Sequence, residues 1–356
     1  MDFGVLVFPK PDRCAEQAQL AERVGFNHVW VEDSPMMAGD VFLCLGLVAQ
    51  ATGRVKLGTG VAVVGARTAP VAAHGIATVN QLAPGRVVFG IGTGNSARRA
   101  MGMRPCSLAE FQEYIGIVRA LLQGQEAIYQ EKGELRRIRF FHTEYEFINA
   151  RDPIPIFLAA NMPKAMEMAG NLGDGWVTSR TNTVKGYEAA AQRVKKGVQS
   201  AGKKYSDLNC VLFTSACLLR PDETLQSPRV LKQAGPWAAV ALHSLYETLE
   251  SPDLAPSNMR EAFSRYSKFM NDRLPKSDDY YLRLHDGHCL YVNEWEEEFI
   301  SPEVIKATTL TGSPEELLER LQALEKAGVH QVTFIPPYRA FEEFVQGFAD
   351  AIIKNW

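Results

Sequence analysis

The sequence predicts a closed (β/α)8 TIM barrel with a helical insertion after its seventh strand. Short runs that are apolar on both faces recur along the chain, as parallel strands covered on both sides require. Helical patterns separate them, and parallel neighbours can only be joined by such crossovers. Eight repeats of that unit close on themselves rather than form an open layer. The 356 residues read as one domain, 1–356, with 221–309 a divergent insertion inside it.

Phe3–Phe8 (FGVLVF) opens as a buried strand, and in the stretch behind it Ala15, Ala18, Leu20, Ala21 and Val24 fall near helical spacing before Gly25 stops the helix. His28–Glu32 is the second strand, followed by a helix ending at Gly53. Val55–Val63 is the third and Arg86–Gly92 the fourth, each backed by a helix. Arg137–Asn149 alternates like a small hairpin or excursion, not a barrel strand. The rhythm resumes with PIPIFLAA, a helix, DGWVTS and a long helix from about Thr183 to Gly202. Asn209–Leu219 is the seventh strand, and residues 221–309 fit no simple βα unit. A helix capped by Ser313, with Glu316 three residues on and Pro314 at its first position, leads to QVTFIPP and a terminal helix.

A doubly wound sheet is the competing architecture, because GIGTGNS follows the fourth strand. Its glycines, Gly90, Gly92 and Gly94, are spaced GxGxG, and the third glycine of a dinucleotide fingerprint would fall on Asn95. No acidic residue closes a following strand at the required distance. The barrel is the better fit.

Composition narrows the function classes. With 46% hydrophobic and 22% charged residues and a net charge of −3, the chain has no basic block to follow a phosphate backbone, so nucleic acid is not an expected partner. Its six cysteines are scattered without a CxxC pair, which suits reduced thiols better than a disulfide framework or a zinc site. No apolar stretch approaches the roughly 20 residues of a membrane helix, and MDFGVLVF does not read as a leader. The expected location is cytoplasmic, with no membrane partner.

In a barrel of this kind the chemistry sits at the C-terminal ends of the strands. Those ends carry Glu32-Asp33-Ser34, Thr59-Gly60-Val61, Gly92 to Ser96, Ala159 to Met162 and Thr178-Ser179-Arg180. They lack an HxH metal pair, the paired glutamates of a glycosidase and a Schiff-base lysine. Glycines, alanines and hydroxyls instead let a flat ligand approach the backbone and leave the reactivity to a cofactor.

The segments AERVGFNHVWVEDS, VAQATGRVKLGTGVAVVGARTAPVAAHGIATVNQLAPGRVVFGIGTG, IPIFLAANMPKAMEMAGNLGDGWV and TGSPEELLERLQALEKAGVHQVTFIP resemble the bacterial luciferase-like superfamily. This group holds flavin-dependent monooxygenases and deazaflavin-dependent reductases, and the chain looks closest to the methylenetetrahydromethanopterin reductase branch. The resemblance spans strands one to six and the C-terminal βα unit, not 221–310. It implies that Gly60 and Val61 form a strand bulge, often with a non-proline cis peptide, propping a ring system from behind, with Thr59 beside them as a further cofactor-binding candidate. It places Thr93, Gly94 and Asn95 beside the ring. It sets Ala159, Ala160 and Asn161 before a helix start that can face a phosphate, and Ser179 and Arg180 on the cofactor tail. Homodimers are common among such proteins.

One departure matters. Many deazaflavin-dependent relatives have Asp-His after strand two, with the histidine acting as an acid; here the pair is Asp33-Ser34. A serine is a poor proton donor near neutral pH, which puts reduced FMN with dioxygen ahead. The first expectation is therefore oxygenation of a small organic substrate by reduced FMN, drawn from solution or from a partner flavin reductase, under a lid formed by the insertion. The alternatives are hydride transfer with coenzyme F420 and a non-catalytic flavin-binding protein. Asp33 is the expected ring- or substrate-positioning residue, and Glu32 is read as part of a structural pair. Arg67 is read as a salt-bridge partner. His285 and His288 are candidate acids replacing the missing histidine. As metal ligands, the basis of a hydrolase reading, they lack an evident third partner, so no metal is expected. Trp30, Trp176, Trp237 and Trp295 suit either flavin contact or packing.

Overall fold

The computed structural model describes residues 1–179, 182–274 and 277–356. Its central strands are β1 (Asp2–Val7), β2 (His28–Val31), β3 (Lys56–Thr59), β4 (Val87–Gly92), β5 (Ile156–Ala159), β6 (Gly175–Thr178), β7 (Asn209–Thr214) and β8 (Gln331–Phe334). Each is parallel to its sequence neighbour, and β1 pairs with both β2 and β8, so the sheet closes. This is the eight-stranded barrel the sequence predicts.

Side chains alternate in direction along a strand, and β1 and β2 sort accordingly. Val5, Val7, Val29 and Val31 join the layer between strands and helices, where Ile76, Val194 and Phe348 meet them. Leu6 and Trp30 turn inward with Val88, Phe157, Val211 and Phe213. The Trp30 indole lies edge-on to Phe213 and plugs the barrel axis. A Cβ at Gly58 would stand 2.6 Å from that indole and one at Gly90 3.0 Å from it, so these two strand glycines make room for the tryptophan.

The third strand breaks where the resemblance places its bulge: the Gly60-Val61 peptide is cis, as expected, and Ala62–Val63 resumes beside β4, Ala62 opposite Ile91. Two other segments differ from expectation. The seventh ends at Thr214, with Ser215 and Leu218 continuing only as single bridges to Thr309 and Gly312. The hairpin lies earlier than Arg137–Asn149, pairing Ala127–Glu131 with Glu134–Ile138. Lys132 and Gly133, both at positive φ (49° and 84°), make its two-residue turn. The aromatic alternation that suggested a strand, at Phe141, Tyr145 and Phe147, is exposed.

The insertion is helical, with long helices at Pro228–Thr248 and Arg260–Arg273 and shorter ones at Tyr280–Leu284 and Pro302–Thr308. It has its own apolar core, in which Leu242, Phe263, Tyr266, Phe299 and Ile305 are buried. Trp237 and Cys289 leave that core to pack against the inner barrel cluster, so the insertion rests over the strand ends. Among the described residues no helix is long and apolar enough to cross a membrane.

Candidate active site

A cleft of about 290 Å³ opens at the C-terminal ends of the strands. Gly60, Val61 and Val63 form one side, Thr93, Gly94 and Asn95 a second, and Ala159, Ala160 and Asn161 a third. Leu6, Val177, Phe213 and Ile335 supply apolar surface, and Trp237, His288 and Cys289 of the insertion close over it. The sequence-predicted triad of Gly60, Thr93 and Ala160 therefore opens on a single space. A Cβ on Gly92 would stand 3.0 Å from Val61 Cγ2 and 3.2 Å from the Ala159 methyl. Gly94 has φ 80°, and a Cβ there would run into Val63 and Arg98, so backbone shape requires a glycine. A lining of backbone, methyls and one apolar flank suits a planar ring.

Two carboxyls stand at the end of β2. Asp33 accepts a hydrogen bond from Val63 N–H at 2.9 Å and pairs with Arg67 Nη1 at 2.8 Å. Arg67 also reaches Asp40 at 2.8 Å. This network pins the resumed third strand to the end of β2. Burial pushes the Asp33 carboxyl upward, against the Val63 N–H and the Arg67 charge. Glu32 has fewer partners. The Ser34 hydroxyl donates to its Oε1, while Oε2 is buried with no hydrogen-bond partner among the described residues. Burial pushes the Glu32 carboxyl above the usual range, and the Asp33 charge adds to that against the Ser34 hydrogen bond. The cleft thus contains a carboxyl held toward its protonated form.

A model of luciferase-like monooxygenases matches residues 2–331. The chain belongs to the luciferase-like monooxygenase family. As a member it is an oxidoreductase, and full-length relatives support the assignment. A 5,10-methylenetetrahydromethanopterin reductase from Archaeoglobus fulgidus is 27% identical over 345 residues, 93% of this chain and 92% of that one. An F420-dependent glucose-6-phosphate dehydrogenase from Beutenbergia cavernae is 28% identical over 336 residues, 86% of this chain and 92% of that one. Among solved structures, the coenzyme F420 dependent tetrahydromethanopterin reductase from Methanopyrus kandleri superposes with a TM-score of 0.73 at 20% identity, covering 99% of each chain, and shares the fold.

In this luciferase-like oxidoreductase several predicted residues take unexpected places. Thr59 is fully buried outside the cleft, its hydroxyl donating to the Gly90 carbonyl. Ala160 N–H donates to the Val177 carbonyl, so it does not face a phosphate. Asn161 accepts from the Thr178 hydroxyl and the Ser179 N–H and donates to Ser179 Oγ, each at 3.0 Å, fastening the end of β5 to that of β6. Asn95 lines the cleft, and its carboxamide contacts Ser244 and Arg99. Arg180 lies outside the described residues. Trp30 plugs the barrel, Trp176 stacks on Tyr187, and Trp295 stacks on Phe269, which leaves Trp237 on the cleft.

The two histidines separate. His285 stands off the cleft with Nε2 on Glu247 at 3.1 Å. His288 lines the cleft, but burial and the neighbouring His285 and His243 lower its value to about 3. That favours the neutral imidazole over the imidazolium at this position. Both carboxyls line the cleft; Asp33 is committed to Val63 and Arg67, whereas Glu32, read from the sequence as part of a structural pair, keeps one oxygen without a partner among the described residues. Strand parity gives a signal for Glu32, which is two residues from the inward Trp30.

Proposed function

We propose that this luciferase-like oxidoreductase transfers a hydride between coenzyme F420 and a small organic substrate, with Glu32 handling the accompanying proton. The observation that carries this reading is Glu32 on the cleft wall with its Oε2 buried and without a hydrogen-bond partner among the described residues. Oxygenation with FMN was favoured because Ser34 cannot act as an acid; a carboxyl with a raised value removes that objection. The names of the full-length relatives lean the same way, toward a reductase and an F420-dependent dehydrogenase.

When bound, the deazaflavin supplies a ring carbon that accepts or gives a hydride. Reduction of a C=O or C=N bond then needs one proton at the heteroatom, and oxidation releases one. Glu32 gives that proton in one direction and receives it in the other. The Ser34 hydroxyl on Oε1 holds the carboxyl in one orientation and leaves Oε2 without a partner among the described residues, so that Oε2 would be the oxygen that exchanges the proton. Leu6, Val61 and Val177 on the cleft wall would exclude water from a bound cofactor, and the Asp33–Arg67 pair would keep the strand bulge in place to support it.

An anaerobic titration with F420 and, separately, with FMN tests the reading. The expected result is tighter binding of F420 and substrate-dependent bleaching or recovery of its absorbance without dioxygen. Preferential FMN binding with one dioxygen consumed per product restores the oxygenase. Binding of either cofactor without turnover on any alcohol, carbonyl or imine favours the non-catalytic alternative.

A further inference from the structure

Next to the cleft, inside the insertion, the fold gathers His243, His285 and His288, whose candidate ligand nitrogens lie within 4.8 Å of one another. The sequence spacing offered only the last two. His243 comes from the middle of the Pro228–Thr248 helix, while His285 caps the Tyr280–Leu284 helix and His288 follows in the loop. His243 and His285 are 2% and 6% exposed.

The hydrogen bonds around them leave one nitrogen on each ring uncommitted. His243 Nε2 is held by Glu296, which also accepts from Tyr266 at 3.2 Å and Asn293 Nδ2 at 2.8 Å. His285 Nε2 is held by Glu247, which faces Arg99 at 3.7 Å. A carboxylate on Nε2 keeps the proton there and turns the Nδ1 lone pair outward, the arrangement found behind metal-bound histidines. The Nδ1 atoms of His243, His285 and His288 are all buried and have no hydrogen-bond partner among the described residues. Hydrogen-bonded packing alone leaves three such orphans side by side unexplained.

We propose that these three Nδ1 atoms bind one zinc-class divalent ion, with Glu296 and Glu247 as orienting carboxylates. Three neutral imidazoles suit zinc, cobalt or nickel better than calcium or magnesium, and tetrahedral zinc takes a fourth ligand, here water. Zn–N bonds of about 2.0–2.1 Å put tetrahedral nitrogens roughly 3.3 Å apart, so the cluster contracts on loading. His288 in its loop is the residue free to move inward. Because His288 and Cys289 wall the cleft, the ion would fix that wall from behind. This site does not depend on which cofactor the barrel takes.

The test uses the full chain, stripped with a chelator and dialysed against zinc or cobalt. Elemental analysis is expected to find one zinc per chain, and the cobalt form to show tetrahedral d–d bands without thiolate charge-transfer bands. His243→Ala and His285→Ala should lose the metal, and Glu296→Gln should weaken it by about 10–100-fold. No zinc in the folded wild type, thiolate bands in its cobalt form, or full stoichiometry in a folded His243→Ala protein would each overturn the proposal. The wild-type cobalt spectrum decides the matter even where a histidine variant fails to fold.

Discussion

The neighbours Glu32 and Asp33 both line the cleft but differ in their partners, Asp33 being held by Val63 and Arg67 and Glu32 by Ser34 alone. Substitution separates them. Glu32→Gln is expected to retain F420 binding and lower turnover by about 10²–10⁴-fold, the usual contribution of a positioned proton-transfer group. Asp33→Asn should instead lower the melting temperature, because it removes one of the two carboxylates paired with Arg67, the one that is buried; the expected cost is about 1–3 kcal/mol. Equal effects of both changes on turnover and melting would refute this division of roles. Glu32 also sets a pH dependence. Its value is raised in the fold, so the native state keeps a proton that the unfolded chain releases near the ordinary carboxylate value. Stability linked to that proton is complete below the unfolded value and is lost as pH rises toward the folded one. Glu32→Gln, which cannot ionise, should therefore gain stability relative to wild type from roughly pH 4 upward; parallel melting curves across that range would count against it. The sequence brought Gly60, Thr93 and Ala160 to one place but did not show how differently the two carboxyls are partnered, because the Arg67 and Val63 contacts to Asp33 come from a segment some 30 residues away.

Among the elements, helix contacts separate two kinds of glycine that look alike in sequence. Gly170 and Gly197 sit where helices Pro163–Leu172 and Val184–Ser200 touch: a Cβ on Gly197 would lie 1.8 Å from the Glu167 carbonyl oxygen, and one on Gly170 2.1 Å from that of Val194. Gly347, in helix Phe341–Ala351, has nothing within 4 Å of its would-be Cβ. Alanine should thus act in opposite directions. Gly197→Ala is expected to destabilise by about 1–3 kcal/mol through overpacking, whereas Gly347→Ala should stabilise by about 0.5–1 kcal/mol through helix propensity. Paired denaturant melts check the signs. Most elements were legible because apolar period and stop residues act locally: Gly25 ends the first helix in the left-handed conformation, and Ser313 and Glu316 form the expected capping box. The hairpin was misplaced because its register is set by the Lys132-Gly133 turn, while the aromatic alternation beyond it faces solvent.

At the scale of the molecule, the barrel was legible and the insertion was not, since eight similar units repeat whereas the insertion is built by contacts between residues far apart in the chain. His243 reaches Glu296 across 53 positions, and no spacing rule anticipates that. Because Trp237, His288 and Cys289 reach from this second core into the cleft, ligand binding should be felt there. Hydrogen exchange is expected to slow on F420 binding both at the strand ends and around 237–248 and 287–291; protection confined to the barrel would show that the insertion is no lid. The tryptophan that plugs the barrel axis has a kinetic consequence. Among the described residues Trp30, Phe157 and Phe213 fill the barrel axis beneath the cleft, so a cofactor and a substrate would both enter from the strand-end side. On the proposed function the larger cofactor would then enter before the substrate, so initial-rate patterns are expected to follow a compulsory order, with product inhibition competitive only for the ligand that binds the free enzyme.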